Sequence, residues 1–408
     1  MLKAIIAGSA GNLIEWYDFY VYAFTAIYFS KAFFPEGDRT AQLIGTAGIF
    51  AVGFLLRPLG GWYFGRLADR HGRRVSLVRS VLLMGLGSFM IAVLPTYAQA
   101  GSAAPALLLL GRMIQGFSTG GQYGATATYM AEIAVGSRRG YYASFQYVTL
   151  IGGQLAALMV ILLLQTMLSE VEMAAYGWRV AFLLGAGGAL LILSLRHLLV
   201  ESSGGTEGSA GGSLIELVRH WRAVLIVLGL TAGGSLTFYT FSTYMQKYLV
   251  NTAQIAPSTA NWIMTAALVP FIAFQPALGA LSDRIGRRTN LIIFGLLATL
   301  LTVPLMKAAG AATSPTTAFA LIVCGMFISS FYTSVSGLFK AELFPIHIRA
   351  LGVGLTYGIG NGIFGGTAEF VALQFKAYGH ETWFFWYVSA IAFATLLTAL
   401  VMRKKSEI

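Results

Sequence analysis

An all-α membrane protein of twelve transmembrane helices, arranged as two pseudo-symmetric six-helix bundles, is the fold this sequence predicts. Three observations predict it. Of the 408 residues, 57% are apolar and only 11% charged, with a mean hydropathy of +0.72. A soluble chain carries roughly a quarter charged residues. Apolar runs long enough to cross ~30 Å of hydrocarbon as a helix recur along the whole length. One polar motif also occurs twice, once in each half, each time after the second apolar run of its half.

The spans follow in order. Those of the first half are expected over 4–30, 41–65, 76–96, 104–132, 140–167 and 178–199. Those of the second half are expected over 222–249, 259–281, 289–307, 316–340, 350–375 and 382–402. Several exceed the ~20 residues a bilayer needs, so tilt or protrusion is expected. Domains are therefore 1–199, a connecting segment 200–220, and 221–408. The segment contains Ser202 to Ser213, reading SSGGTEGSAGGS, a Gly/Ser coil with nothing to bury.

Charge sets the topology. The net charge is +11, but the basic residues form short clusters between apolar runs, which argues against nucleic acid as a partner and for cytoplasmic loops. Lys3, Arg66, Arg70, Arg73, Arg74, Arg79, Arg138, Arg139, Arg196, Arg219, Arg222, Arg284, Arg287, Arg288, Lys340, Arg349 and Arg403 to Lys405 share one face. Lys31, Arg39, Arg179, Lys247, Lys307 and Lys376 are the sparse opposite set. Both termini are expected in the cytoplasm. The single Cys324 excludes an internal disulfide and reads as helix packing. His71, His197, His220, His347 and His380 are scattered, and no metal-ligand cluster, nucleotide loop or nucleophile–base pair occurs. No cofactor and no enzymatic activity are expected.

Charged groups at membrane depth need a partner or a wet cavity. Asn12, Glu15, Asp18 and Tyr22 follow helical steps along one face of span one. At ~1.5 Å per residue, Asp18 and Arg112 fall at similar depths, with Arg57 closer to the cytoplasm. Asp18 with Arg112 is thus the preferred acid–base pair, and Glu15 and Asp18 are candidates for proton exchange. A static pair that holds spans together is the structural alternative.

The repeated motif is Gly65-Arg66-Leu67-Ala68-Asp69-Arg70-His71-Gly72-Arg73-Arg74, matched by Gly279-Ala280-Leu281-Ser282-Asp283-Arg284-Ile285-Gly286-Arg287-Arg288. It resembles the loop signature between spans two and three of the major facilitator superfamily. Further stretches narrow the resemblance to its metabolite:proton symporters. They are Gly11 to Tyr20 (GNLIEWYDFY), Leu56 to Gly61 (LRPLGG) and Gly120 to Gly124 (GGQYG). Tyr142 to Gln154 and Thr243 to Ala253 resemble the α-ketoglutarate-transporting members of that family.

The resemblance implies a bacterial inner-membrane protein, monomeric, that takes up 2-oxoglutarate or a similar small carboxylate with protons. Shikimate, citrate and proline betaine are the alternative substrates. It also implies an acid–arginine pair on spans one and four, here Asp18 and Arg112, and a substrate-binding glutamine on span five, here Gln154. A dicarboxylate needs cationic donors. Arg57 and Arg112 are the first candidates, with Lys340 and Lys247 behind them because they lie near expected span ends where lysine snorkels. Tyr239, Tyr332 and Asn361 complete the candidate substrate set. Asp69 would dock on the start of span eleven and close the inner gate with Arg73, Glu132, Arg138, Asp283, Glu342 and Arg349. One position departs from the family: its members usually carry Glu where this chain has Gln122. A second proton-coupling acid is then missing, and a transport-impaired variant or sensor that still binds substrate is the competing reading.

Overall fold

The computed structural model describes residues 2–71, 73–133, 136–194, 214–345 and 348–402. Every regular element among them is helical. Span one is Leu2–Phe33, span two Arg39–Leu55 continued by Arg57–His71, span three Arg73–Val93, and span four Ala103–Ile133. Span five is Arg139–Ala143 continued by Phe145–Met167, and span six is Trp178–Ser194. In the second half, span seven runs through Trp221–Tyr239, Thr240–Tyr244 and Met245–Asn251; span eight is Pro257–Ile285 and span nine Arg287–Gly310. Span ten is Pro315–Thr333 followed by Ser336–Leu343, span eleven Arg349–Gly360, Asn361–Gly365 and Ala368–Ala377, and span twelve Glu381–Val401. Among the described residues, 8 helices are long and apolar enough to cross a membrane on their own terms.

Local chemistry sets the boundaries. Asp38 caps span two by accepting from the amide of Ala41 at 2.8 Å, one of the donors a helix start leaves unpaired. Pro58 brings no N–H to the ladder, and span two breaks just before it, between Leu55 and Arg57. Spans eight and nine join at Gly286, whose φ of +89° suits glycine and turns the chain within one residue. Spans seven and eleven each carry one π-helical turn, at Thr240–Tyr244 and Asn361–Gly365, a local widening often found at functional sites.

Helices in lipid gain little from hiding apolar surface, so packing contacts and hydrogen bonds hold them together. Span one packs on span five, span three on span six, and span nine on span twelve within their bundles. Across the bundles, span five meets span eight, and spans two and four meet span eleven. An aromatic ladder runs from Phe19 through Phe50 and Phe54 to Tyr239, with centroids 5.0 Å apart for Phe19–Phe50, 5.0 Å for Phe50–Phe54 and 5.2 Å for the interbundle step Phe54–Tyr239.

One expectation changes, and one segment lies largely out of view. The connector expected over 200–220 lies mostly outside the described residues, and its last part is a helix, Leu214–Arg219. That helix buries Leu217 and leaves Leu214, Ile215 and Val218 exposed. Cys324 is exposed on span ten rather than packed between helices, because the helical rotation there buries Ile322 and Gly325 and turns the thiol outward.

Candidate functional site

The break before Pro58 places Arg57 at the head of the inner half of span two, with only 3% of its surface exposed. Its guanidinium lies 3.9 Å from the Phe54 ring centroid, 4.4 Å from Phe19 and 5.1 Å from Trp16. Nε and Nη2 are buried without a protein acceptor. The ring faces hold the cation by cation–π attraction while leaving its planar fork free to take a carboxylate.

Groups from both bundles meet this fork. The Tyr239 hydroxyl lies beside Arg57, Asn361 and Tyr20. None of these approaches has the geometry of a hydrogen bond, so the hydroxyls of Tyr239 and Tyr20 and both amide atoms of Asn361 are buried with that capacity unused. Gln154 crosses the interface, donating Nε2 to the Ser242 carbonyl at 2.6 Å and leaving Oε1 unpartnered. Glu15 is within electrostatic reach of Arg57, though no ion pair within 4.0 Å joins them. Buried polar groups normally find partners, so a concentration of unpartnered ones where the two bundles meet is unusual.

Lys340 is fully buried on the C-terminal side. Its Nζ donates to Ser336 Oγ at 2.6 Å and to the hydroxyls of Tyr123 and Tyr332, both at 3.1 Å. It sits 4.3 Å from the Tyr357 ring centroid. The expectation of a snorkelling lysine near a span end is corrected here. Span ten breaks between Thr333 and Ser336, and its inner segment continues under the core instead of ending at the surface. Lys247 is corrected in the same way. It is fully buried, pairs with Glu369 at 2.9 Å and donates to the Ala23 carbonyl of span one at 2.5 Å.

Asp18 does not face the other bundle. It lies inside the N-terminal bundle, beside Ser88 of span three and within electrostatic reach of Arg112. At 100° per residue, Tyr20 points to the central groups and Asp18 points away from them. The two partners expected to touch are linked indirectly. Arg112 Nη1 donates to Gln115 at 2.7 Å, and Gln115 donates to Ser88 at 2.8 Å. Arg112 also stacks on Tyr22, Phe19 and Phe50, 4.3 to 5.0 Å from their centroids. Both Asp18 oxygens and the Nε and Nη2 of Arg112 remain buried without hydrogen-bond partners. A Cβ on Gly185 of span six would lie 1.6 Å from Asp18 Oδ1, so only glycine leaves room for this carboxylate. Asn12 leaves the stripe altogether, bonding Thr149 of span five and Trp16.

Contacts between the bundles bridge both faces of the molecule. On the motif side, Asp283 accepts from the amides of Gly140 and Tyr141 at 2.7 and 3.0 Å, at the start of span five. Arg287 pairs with Asp283 at 3.0 Å, and Glu342 takes Arg139 at 3.2 Å and Arg287 at 4.0 Å. Arg349 donates Nε to the Phe344 carbonyl, and Arg138 is exposed. The side chains of Asp69, Arg73, Gln122 and Glu132 lie outside the described residues. On the opposite face, Gln246 donates to the Phe24 carbonyl at 3.1 Å and to Asn261 at 2.6 Å, alongside Lys247. Asn261 reaches Tyr28 and Gln165 of the first half at 3.0 and 3.1 Å.

The sequence reading missed Ser88, Gln115, Tyr123 and Tyr357. Polar side chains within apolar runs were the available signal, but single tyrosines and serines in a span are too common to single out.

Comparison with known proteins places this geometry. The family described as "Sugar (and other) transporter" matches residues 3–204, and "Major Facilitator Superfamily" matches residues 227–407. The alpha-ketoglutarate permease of Escherichia coli (strain K12) is 54% identical, covering 99% of this chain and 94% of its own length. The glycine betaine/proline/ectoine/pipecolic acid transporter OusA of Dickeya dadantii is 32% identical over 99% of this chain and 84% of its own. The citrate-proton symporter of Salmonella typhi is 32% identical over 89% and 85%. Among solved structures, the partially occluded inward open xylose transporter XylE from E. coli superposes with a TM-score of 0.76 at 18% identity, covering 99% of this chain and 98% of that one. These relatives are transporters, not enzymes, and this chain is a multi-pass membrane protein that belongs to the major facilitator superfamily.

Proposed function

We propose that the protein takes up 2-oxoglutarate, or a small carboxylate close to it, together with protons, by alternating access. The observation that carries this reading is Arg57: a fully enclosed guanidinium with unpartnered N–H groups at the bundle interface, ringed by the unpartnered polar atoms of Tyr20, Tyr239 and Asn361. The relationship to the alpha-ketoglutarate permease supports the substrate class.

In this reading Arg57 takes one carboxylate through two parallel N–H bonds, and Asn361, Tyr239 and Gln154 orient the rest of the molecule. Asp18 carries the coupled proton inside the N-terminal bundle. Protonation removes its attraction for Arg112, and the Gln115–Ser88 link transmits the change to spans three and four. Two latches then alternate. Asp283 on the span-five amides holds the cytoplasmic face, and Lys247 on the Ala23 carbonyl holds the outer face. The bundles 1–199 and 221–408 rock about the central site, in a bacterial inner membrane with both termini in the cytoplasm and the chain acting as a monomer.

Accumulation of labelled 2-oxoglutarate in proteoliposomes under an imposed inward proton gradient tests the reading. Binding without gradient-driven accumulation would instead support a substrate sensor.

A further inference from the structure

The geometry points to Lys340 as the second anion subsite, the group that makes this site select dicarboxylates over monocarboxylates and zwitterions. The inference rests on the proposed carboxylate-binding role of Arg57 and adds the chemistry of the other end of the substrate.

The observations are independent of Arg57. Lys340 is fully buried, and its three N–H donors meet three neutral hydroxyls, Ser336, Tyr123 and Tyr332, with the Tyr357 ring beneath. Among the described residues no carboxylate lies within 4.0 Å of it, in contrast to Lys247, which has Glu369. Hydroxyls and a ring face orient an ammonium but do not neutralise it, and an uncompensated buried charge is costly. An anion can approach because hydroxyls rotate and each can turn its proton toward an incoming oxygen.

Position fits the same role. Tyr123 comes from span four, whereas Tyr332 and Ser336 come from span ten, so the cradle straddles the two bundles. Tyr357 lies within electrostatic reach of Arg57, and Tyr147 neighbours Tyr239 on one side and Tyr332 and Ser336 on the other. A run of neighbouring tyrosines therefore joins two cations on opposite bundles, neither of them in an ion pair among the described residues. A dianion compensates both. A monoanion leaves one uncompensated. A betaine would set its own cation against a lysine, an arrangement that disfavours it electrostatically.

The test measures binding of matched pairs, glutarate against pentanoate and 2-oxoglutarate against 2-oxopentanoate, together with proline betaine. Purified parent, Lys340→Gln, Lys340→Arg and Tyr332→Phe proteins are compared. The parent is expected to prefer each dianion over its monoanion by tenfold or more. Lys340→Gln loses that preference because dianion binding falls far more than monoanion binding, and Lys340→Arg keeps most of it. Tyr332→Phe, which retains the ring and removes one acceptor, lowers the preference severalfold and guards against a misfolded Lys340→Gln. A preference that survives in folded Lys340→Gln, or a parallel loss of dianion and monoanion binding, overturns the inference. If the parent prefers glutarate but ignores 2-oxoglutarate, the substrate reading falls while the subsite stands on the glutarate pair.

Discussion

Replacing Asp283 with alanine should open the face that carries the repeated motif. Its carboxylate, only 9% exposed, bridges the bundles through two backbone amides at 2.7 and 3.0 Å. Hydrogen bonds to a charged group contribute ~1.5–3 kcal/mol each. The amides of Gly140 and Tyr141 regain water when the face opens, so the lower end applies and the two bonds together favour closure by about 3 kcal/mol. At about 1.4 kcal/mol per factor of ten, the open-to-closed ratio should rise roughly a hundredfold. Spin labels at Arg138 and Arg284, both exposed and on opposite bundles, in a Cys324→Ser background, would report the gap by pulsed dipolar spectroscopy. The Asp283→Ala distribution should move to longer distances, with Asp283→Asn between it and the parent because one acceptor oxygen remains. Unchanged distributions in both variants would show that these bonds do not hold the face closed.

On the opposite face, Lys247→Met alone should lower thermal stability by ~3–5 kcal/mol, because Glu369 is left buried without its cation; adding Glu369→Leu should recover much of that loss in thermal unfolding. Arg57→Lys should weaken 2-oxoglutarate binding by ~1.5–3 kcal/mol, since an ammonium lacks the planar fork; calorimetric titration reads this directly. Gly185→Ala should displace the Asp18 carboxylate, whose Oδ1 would lie 1.6 Å from the new Cβ. Proton-driven uptake should then fall further than substrate exchange at equal pH, and equal losses in the two assays would contradict the coupling role.

The helices and their order were legible because apolar length and loop charge are properties of contiguous sequence. The doubled motif likewise exposed the two-bundle plan before any contact was known. Arg57 and Arg112 stood out because a charge within an apolar run has few reasons to be there. Direction was harder to read. Glu15, Asp18 and Tyr22 share a helical face, but their spacing does not say whether that face meets the other bundle or a neighbour in its own; the contact with Gly185, far along the chain, decides it. Lys340 and Lys247 were misjudged for a related reason. Depth was counted from expected span ends, and the break after Thr333 and the π turn at Thr240–Tyr244 shift what lies below them. The relay Arg112–Gln115–Ser88 starts as an i, i+3 pair on span four but closes on span three, and no local pattern announces that second step.

The initial rate of labelled 2-oxoglutarate uptake into proteoliposomes, with and without an inward proton gradient, tests coupled transport most directly when the parent is run beside Asp18→Asn. The account predicts gradient-driven accumulation in the parent, and in Asp18→Asn exchange at equal pH without a gradient response, because no group then links proton and substrate movement. A parent rate indifferent to the gradient, or a gradient response undiminished in Asp18→Asn, would contradict it.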